Sequence, residues 1–344
     1  MADGIEINSF WWYLYQKGVV AKMSLMSRRE FFGSIVGGLL ATKASATGRS
    51  NGIKQYRGRV ISIRSRKKTP LTKEELGSML DRGIVSLTGI KDANEAWCSK
   101  FSRDDHVSIK VNCLGGIQMS SNPLITLALV DRLIMCGVRD KNIIIWDRST
   151  RELKESGYPV RIGGNETQCF GTDEVGYYPE LFENGSVGSL FSRIMTDYSN
   201  KLINVPVLKD HGICGMTFAM KNHFGAINNP NKYHLNKCNP YIPDLNSLDI
   251  IRNEETLIVG DATKIQAFGG PSFKGQWAVQ HNGILMGDDP VAIDRKGLEL
   301  LAEERNKLGK PSLESLKLYP DYIRKGQEMK LGEFDNVSYE SIIL

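Results

Sequence analysis

The most constraining feature of this chain is a design used four times: a short, nearly continuous apolar run that ends in polar side chains. It occurs at Val107-Ser108-Ile109-Lys110-Val111-Asn112, at Asn142-Ile143-Ile144-Ile145-Trp146-Asp147, at Leu202-Ile203-Asn204-Val205-Pro206-Val207-Leu208-Lys209 and at Thr256-Leu257-Ile258-Val259-Gly260-Asp261. Runs apolar at successive positions suit strands covered on both faces, as in a parallel sheet. The segment Pro123 to Cys136, amphipathic and closed by Gly137, separates the first two runs and makes a β-α-β unit. Strands alternating with helices predict a mainly parallel, doubly wound α/β sheet.

Local signals fill in the order. Val60 to Arg64 predicts a first strand and Val337 to Leu344 a last one. Thr72-Lys73-Glu74-Glu75 is an N-cap followed by first-turn acids, opening a helix that ends before Gly89; Ala93 to Phe101 is a second helix. Asp289 can cap the helix that Pro290 begins, running from Val291 to Glu304, with Asp294 near its positive end. Pro206 has no amide donor, which predicts an edge or bulged strand there. Residues 148 to 190, rich in Gly, Tyr, Glu and Asn without periodicity, read as an insertion or lid on a single α/β domain spanning 59–344.

The N-terminus reads as an address. Ser27-Arg28-Arg29-Glu30-Phe31-Phe32 precedes the apolar run Ile35 to Leu40, then Lys43 and Ala44-Ser45-Ala46. This resembles a twin-arginine export signal over residues 1–46, cleaved after Ala46, with the twin-arginine machinery as partner and a periplasmic or other extracytoplasmic destination. The run falls short of the ~20 apolar residues of a bilayer span, so no stable membrane span is expected. The aromatic stretch Trp11 to Tyr15 is not needed by such a leader, which makes Met23 or Met26 candidate true starts; residues 47–58 read as a linker.

Composition removes several classes. The 44 Lys and Arg against 39 Asp and Glu leave a net charge of +5, too small to imply nucleic-acid binding without a basic motif. The six cysteines, Cys98, Cys113, Cys136, Cys169, Cys214 and Cys238, form no C-x-x-C pair, so neither an iron–sulfur cluster nor a zinc ribbon is expected; disulfides and buried free thiols both stay open. Phosphate-loop, dinucleotide and nucleophile-elbow motifs are missing.

In open α/β sheets ligands bind beyond the carboxyl ends of strands. Those ends carry Lys110 and Asn112, Asp147, Lys209 and His211, and Asp261. Positions two apart on a strand point the same way, so Lys-x-Asn and Lys-x-His each aim two side chains at one pocket. Thr217 and Lys221 are four apart and would share a helix face, with the helix N-terminus adding amides for an anion. His211, Asp147, Asp261 and Asp288 are candidate ligands for a divalent metal; the aspartates pairing with nearby lysines is the competing account.

The segments Val107 to Asn112, Leu208-Lys209-Asp210-His211, Thr217 to Gly225, Gly260-Asp261, Gly269-Gly270-Pro271 and Gly287 to Asp294 together resemble domain of unknown function family 362, from about Val60 to Glu304. The resemblance implies a shared site at Lys209, His211, Lys221, Asn222 and Asp261. Some members carry a twin-arginine leader and others are fused to ferredoxin-like cluster domains; without cluster cysteines, this chain resembles the exported, cluster-free branch. The expected function is that of an exported enzyme holding a small anionic substrate, carboxylate or phosphate, on Lys110, Lys209 and Lys221, with Asn112, Thr217 and Asn222 also binding it. His211, Lys209 and Lys221 would be the catalytic groups, His211 transferring the proton or ligating metal, and Asp147 and Asp261 would orient it or bind metal. The competing expectations are a non-catalytic periplasmic module that binds metal or anion, and a redox partner whose cofactor is loaded before export.

Overall fold

Twelve strands organise the protein, as seen in a computed structural model that describes residues 58–344. They are β1 (Arg59–Arg64), β2 (Val107–Lys110), β3 (Ile143–Trp146), β4 (Gln168–Cys169), β5 (Phe182–Asn184), β6 (Val187–Ser189), β7 (Lys201–Asn204), β8 (Val207–His211), β9 (Gly215–Thr217), β10 (Glu255–Gln266), β11 (Ala278–Gly287) and β12 (Ser338–Ile343). The expected leader, the alternative starts and all of the linker but Gly58 lie outside the described residues.

The main sheet runs β12-β1-β11-β10-β7-β2-β3-β4, with β8 pairing β10 and β9 pairing β8. Pairings of β1 with β12, β10 with β7 and β8, β2 with β3 and β7, and β3 with β4 are parallel; β11 is antiparallel to both neighbours, and β9 to β8. The fold is therefore mixed α/β around a mostly parallel sheet.

Alternation along each strand feeds two cores. Val60, Ile144, Leu202, Ile258 and Leu285 face one, packed under the helices Pro290–Lys307 and Tyr322–Glu328 through Val291, Leu301 and Tyr322. Their neighbours Ile61, Ile145, Ile203, Leu257 and Met286 face the other, under the helices Lys73–Thr88 and Pro123–Met135 through Leu80, Ile84 and Leu129. Both faces of the strands are covered, which is why their sequences read as apolar runs. Each such side chain contributes about 1.5–3 kcal/mol by leaving water.

The local signals act where expected. Thr72 and Glu75 form a reciprocal capping box, and Gly89 ends that helix at φ 77°. Asp289 accepts from Ala292 N at 2.9 Å at the start of the Pro290 helix. Residues 148–190 supply the short edge strand β4 and the separate hairpin β5–β6. Two local expectations are corrected. The run 202–209 is two strands broken at Val205-Pro206, because Val205 N donates to Lys110 O while Pro206 O accepts from Asp261 N. Thr217 ends strand β9 rather than sharing a helix with Lys221, whose helix is only Ala219–Asn222.

The cysteines divide into the disulfides Cys98–Cys136 and Cys214–Cys238 and the buried thiols Cys113 and Cys169. Among the described residues no helix is long and apolar enough to cross a membrane.

Candidate functional site

The break at Pro206 opens the sheet. Strand β2 pairs with β7 as far as Lys110 and Asn204, and beyond that point β8 pairs with β10 instead. The hydroxyl of Ser121, fully buried, fills the divergence by donating to Val205 O at 2.6 Å and accepting from Asn112 N at 2.8 Å. Above it lies a cavity of ≈ 460 Å³ into which Lys110, Asn112, Asp147, Lys209, His211, Thr217, Lys221 and Asn222 all project. Eight of the expected residues thus meet at one place.

Lys110 is fixed: its ammonium donates to Asp147 Oδ1 at 2.7 Å and to Val111 O at 2.6 Å, while Asp147 also accepts from Cys113 N and Arg148 N. The backbone at Gly225 passes against this ion pair, and a Cβ there would sit 2.8 Å from Lys110 Nζ and 2.9 Å from Asp147 Oδ1. That close approach explains why the Lys221-Asn222-His223-Phe224-Gly225 segment ends in glycine.

The other two lysines have no carboxylate partner among the described residues. Lys209 donates to Asn112 Oδ1 at 2.9 Å, and Lys221 Nζ lies 3.3 Å from His234 Nε2 and 4.7 Å from the centre of the Phe224 ring. Burial pushes Lys209 down to about 8, against the opposing pull of Asp147. Burial, reinforced by the charge of Lys209, pushes Lys221 down to about 7. Loss of water disfavours the charged form of each.

The two cleft imidazoles have forced tautomers. His211 Nδ1 accepts from Ile213 N at 3.2 Å and Cys214 N at 3.3 Å, and amides cannot reverse that role, so its proton sits on Nε2. Burial and the neighbouring Lys221 hold this ring neutral, far below the usual imidazole range. His234 Nδ1 lies 3.1 Å from Pro230 O, an acceptor only, so its Nε2 lone pair is turned to Lys221. The Cys214–Cys238 disulfide ties the turn after His211 to the segment after His234.

Other expectations are corrected. Asp261 does not line the cleft: its carboxylate accepts from Asn122 N at 2.7 Å and from Thr263 N and Oγ1 at 2.8 and 2.7 Å. Asp288 pairs with Lys100 at 3.5 Å, away from the cleft. With both engaged elsewhere, His211, Asp147, Asp261 and Asp288 do not form one metal site, and backbone amides rather than Asp147 and Asp261 orient His211. His211, Cys214 and His234 do bring ligand atoms within 4.8 Å of one another. Cys214 is in a disulfide, however, both His211 nitrogens are engaged or protonated, and an ammonium faces His234, so this donor set suits an anion rather than a divalent cation. The helix Ala219–Asn222 does not offer its amides to a ligand either, because Ala219 N and Met220 N donate to the buried Asp294 at 2.6 and 3.2 Å.

Sequence reasoning missed His234, Arg148 and Glu152, which also line the cleft. Arg148 follows a strand-end aspartate and could have been read from that position; His234 has no such signal. Apolar side chains complete the walls, among them Phe224 and, partly exposed at the surface, Leu114 and Ile213.

The family described as Domain of unknown function (DUF362) matches residues 107–299, a narrower stretch than Val60 to Glu304 but one that contains every cleft motif. No curated protein matches the chain in sequence. Solved structures similar to it include these two. One is a protein from Thermotoga maritima, 10% identical, with 68% of this chain and 60% of that one covered and a TM-score of 0.45. The other is the lactate racemase apoprotein from Thermoanaerobacterium thermosaccharolyticum, 11% identical, with 74% and 59% covered and a TM-score of 0.44. The chain thus spans about 60% of the length of each.

Proposed function

This chain belongs to the DUF362 family, and from that premise and the geometry of the cleft we propose that it is an enzyme acting on a small anion with an apolar body, a carboxylate or a phosphate. The observation that carries this is the pair of buried ammonium groups, Lys209 and Lys221, that have no carboxylate partner among the described residues and line the same cavity as His211. Buried charge is costly unless compensated, and an anionic ligand supplies the compensation. Leu114, Ile213 and Phe224 support an apolar body attached to the charged group.

The roles follow from the donors and acceptors. Lys209 holds the anionic group. His211, neutral and with its proton on Nε2, donates to a substrate oxygen on which negative charge develops. Lys221, pushed to about 7, exchanges a proton near neutral pH, with the His234 lone pair holding its ammonium form. Lys110 and Asp147 neutralise each other and form a fixed wall.

We also propose that the protein is exported through the twin-arginine machinery and works outside the cytoplasm. The Arg28-Arg29 leader pattern supports this, as do two disulfides, which persist in oxidising compartments.

A thermal-shift screen of carboxylates and phosphate esters, followed by product analysis on the hits, tests the reading. Expected are hits among anions with apolar bodies, conversion by the wild type, and loss of both in Lys209→Met. Binding that goes without conversion would leave a non-catalytic anion-binding module, and a screen in which no anion raises the melting temperature would overturn the reading.

A further inference from the structure

Beneath the cleft, three asparagines connect Lys209 to a buried acid. Lys209 Nζ donates to Asn112 Oδ1 at 2.9 Å, Asn112 Nδ2 to Asn222 Oδ1 at 3.1 Å, Asn222 Nδ2 to Asn204 Oδ1 at 2.8 Å, and Asn204 Nδ2 to Glu255 Oε1 at 2.8 Å. Asparagine oxygen and nitrogen are readily interchanged in such a network, but here each orientation is forced. An ammonium can only donate, so it selects the oxygen of Asn112. Asn222 Nδ2 also meets Lys110 O at 3.4 Å, and Asn204 Nδ2 also donates to Ala219 O at 3.0 Å; carbonyls only accept, so neither amide can turn round. The chain therefore runs one way, from a terminus that only donates to a carboxylate terminus that, when ionised, only accepts.

Asn204, Asn222 and Glu255 are 0%, 1% and 2% exposed. The same Glu255 oxygen lies 3.2 Å from Nε2 of His223, whose Nδ1 donates to Asn246 Oδ1 at 2.7 Å because the Asn246 amide nitrogen already donates to Met220 O and Ile242 O. Aligned hydrogen bonds in a low-dielectric interior polarise one another. A carboxylate placed directly on Lys209 would take up its donors and its charge. The asparagines use one N–H, a longer contact of 3.5 Å reaches Met119 O, and donor capacity remains for the cleft.

We propose that Asn112, Asn222 and Asn204 form a one-way relay through which Glu255 acts as a remote positioning residue for the Lys209 ammonium, directing and polarising it toward the bound anion. The proposal rests on the anion-binding reading of this cleft and names the interior residue that prepares it. Asp147, Lys110 and Glu152 also act on Lys209 through their charges, but none of them belongs to the chain of amides.

The test uses the full chain, benzoate as the anion probe, and the side-chain amide NMR signals of Asn112, which are separated from Glu255 by two other amides. In Glu255→Gln, which keeps an acceptor and the volume but removes the charge, the Asn112 amide protons should move upfield while benzoate affinity stays within about threefold. In Glu255→Leu, which removes the acceptor, affinity should fall about tenfold, the loss of roughly one net hydrogen bond. If Glu255→Leu does not fold, the Glu255→Gln spectrum decides by itself. Unmoved Asn112 signals in a folded Glu255→Gln would overturn the relay. Absence of benzoate binding to the wild type would instead reject the anion reading, and the spectra would still decide whether the amides are coupled.

Discussion

His211 and His234 lie ring against ring, centroids 5.7 Å apart at 23°, and present opposite hydrogen-bonding characters: His211 offers an Nε2–H and His234 an Nε2 lone pair. Stacking two neutral imidazoles of fixed tautomer places a donor and an acceptor side by side in one cleft. His211→Asn retains an acceptor for Ile213 N and Cys214 N but removes the ring donor. It should fold and bind benzoate about 10- to 100-fold more weakly, the range of a hydrogen bond to a charged group. Isothermal titration beside a thermal melt checks this, and wild-type affinity in the variant would show that the donor does not reach the anion.

Anion affinity should fall as pH rises from 6 to 9, since benzoate stays ionised while Lys221 and then Lys209 lose their protons near 7 and 8. Stability of the free protein carries the opposite slope from these groups. An unfolded lysine keeps its proton to about 10.4, so between 7 and 10 the unfolded chain binds more protons and folding gains from rising pH. Lys221→Met should be more stable than wild type at pH 7, with the advantage shrinking toward pH 10 and level below 7. Urea unfolding at four pH values measures it; a constant difference across that window would contradict the burial of the charge.

Two buried aspartates separate stability from the site. Asp294 accepts the amides of Ala219 and Met220, at the start of the helix that carries Lys221 and Asn222, and burial raises its carboxyl to about 8. Asp289 accepts from Ala292, Gly58 and Glu333, away from the cleft. Replacing either with alanine leaves buried N–H groups unpaired at about 1–3 kcal/mol each. Both variants should therefore lose stability in denaturant titrations, and only Asp294→Ala should also weaken benzoate binding.

Thiol counting checks the covalent framework. Without reductant, the native protein should give no reactive thiol at pH 8, because burial raises Cys113 well above its ordinary value and Cys169 to about 12. After denaturation two thiols should react. Each disulfide should contribute about 3–4 kcal/mol. The double variant Cys98→Ser with Cys136→Ser should affect stability alone, whereas Cys214→Ser with Cys238→Ser should also weaken anion binding by freeing the segment after His234. Equal affinities in the two double variants would remove the tether from the site.

The parts of the fold that were legible in sequence are those fixed by near neighbours. The Thr72–Glu75 capping box, the Gly89 stop and the apolar strands each depend on residues a few positions apart or on side-chain alternation. Lys110, Lys209 and His211 could be placed because strand ends in such sheets share an edge. Asp261 shows the limit: it too ends an apolar run, yet it turns to an amide 139 residues away in sequence. His234 arrives by tertiary folding alone, followed by three left-handed residues, Asn236, Lys237 and Cys238, that no turn signal announces. The four-residue spacing of Thr217 and Lys221 fits a helix, but Gly215 at φ 80° allows a hairpin return instead. Asp294 does lie in the Pro290 helix, but its carboxylate accepts the amides of Ala219 and Met220, a contact with another helix that leaves no trace in local pattern.

The parting of β2 from β8 at Pro206, held by the Ser121 hydroxyl, also bears on dynamics. A mouth made where backbone ladders separate has its width set by hydrogen bonds of the sheet itself, which open only with the surrounding core. Ligand entry should then proceed without large rearrangement of the walls, and discrimination among candidates should come from rigid shape and charge rather than from closure around whichever molecule arrives.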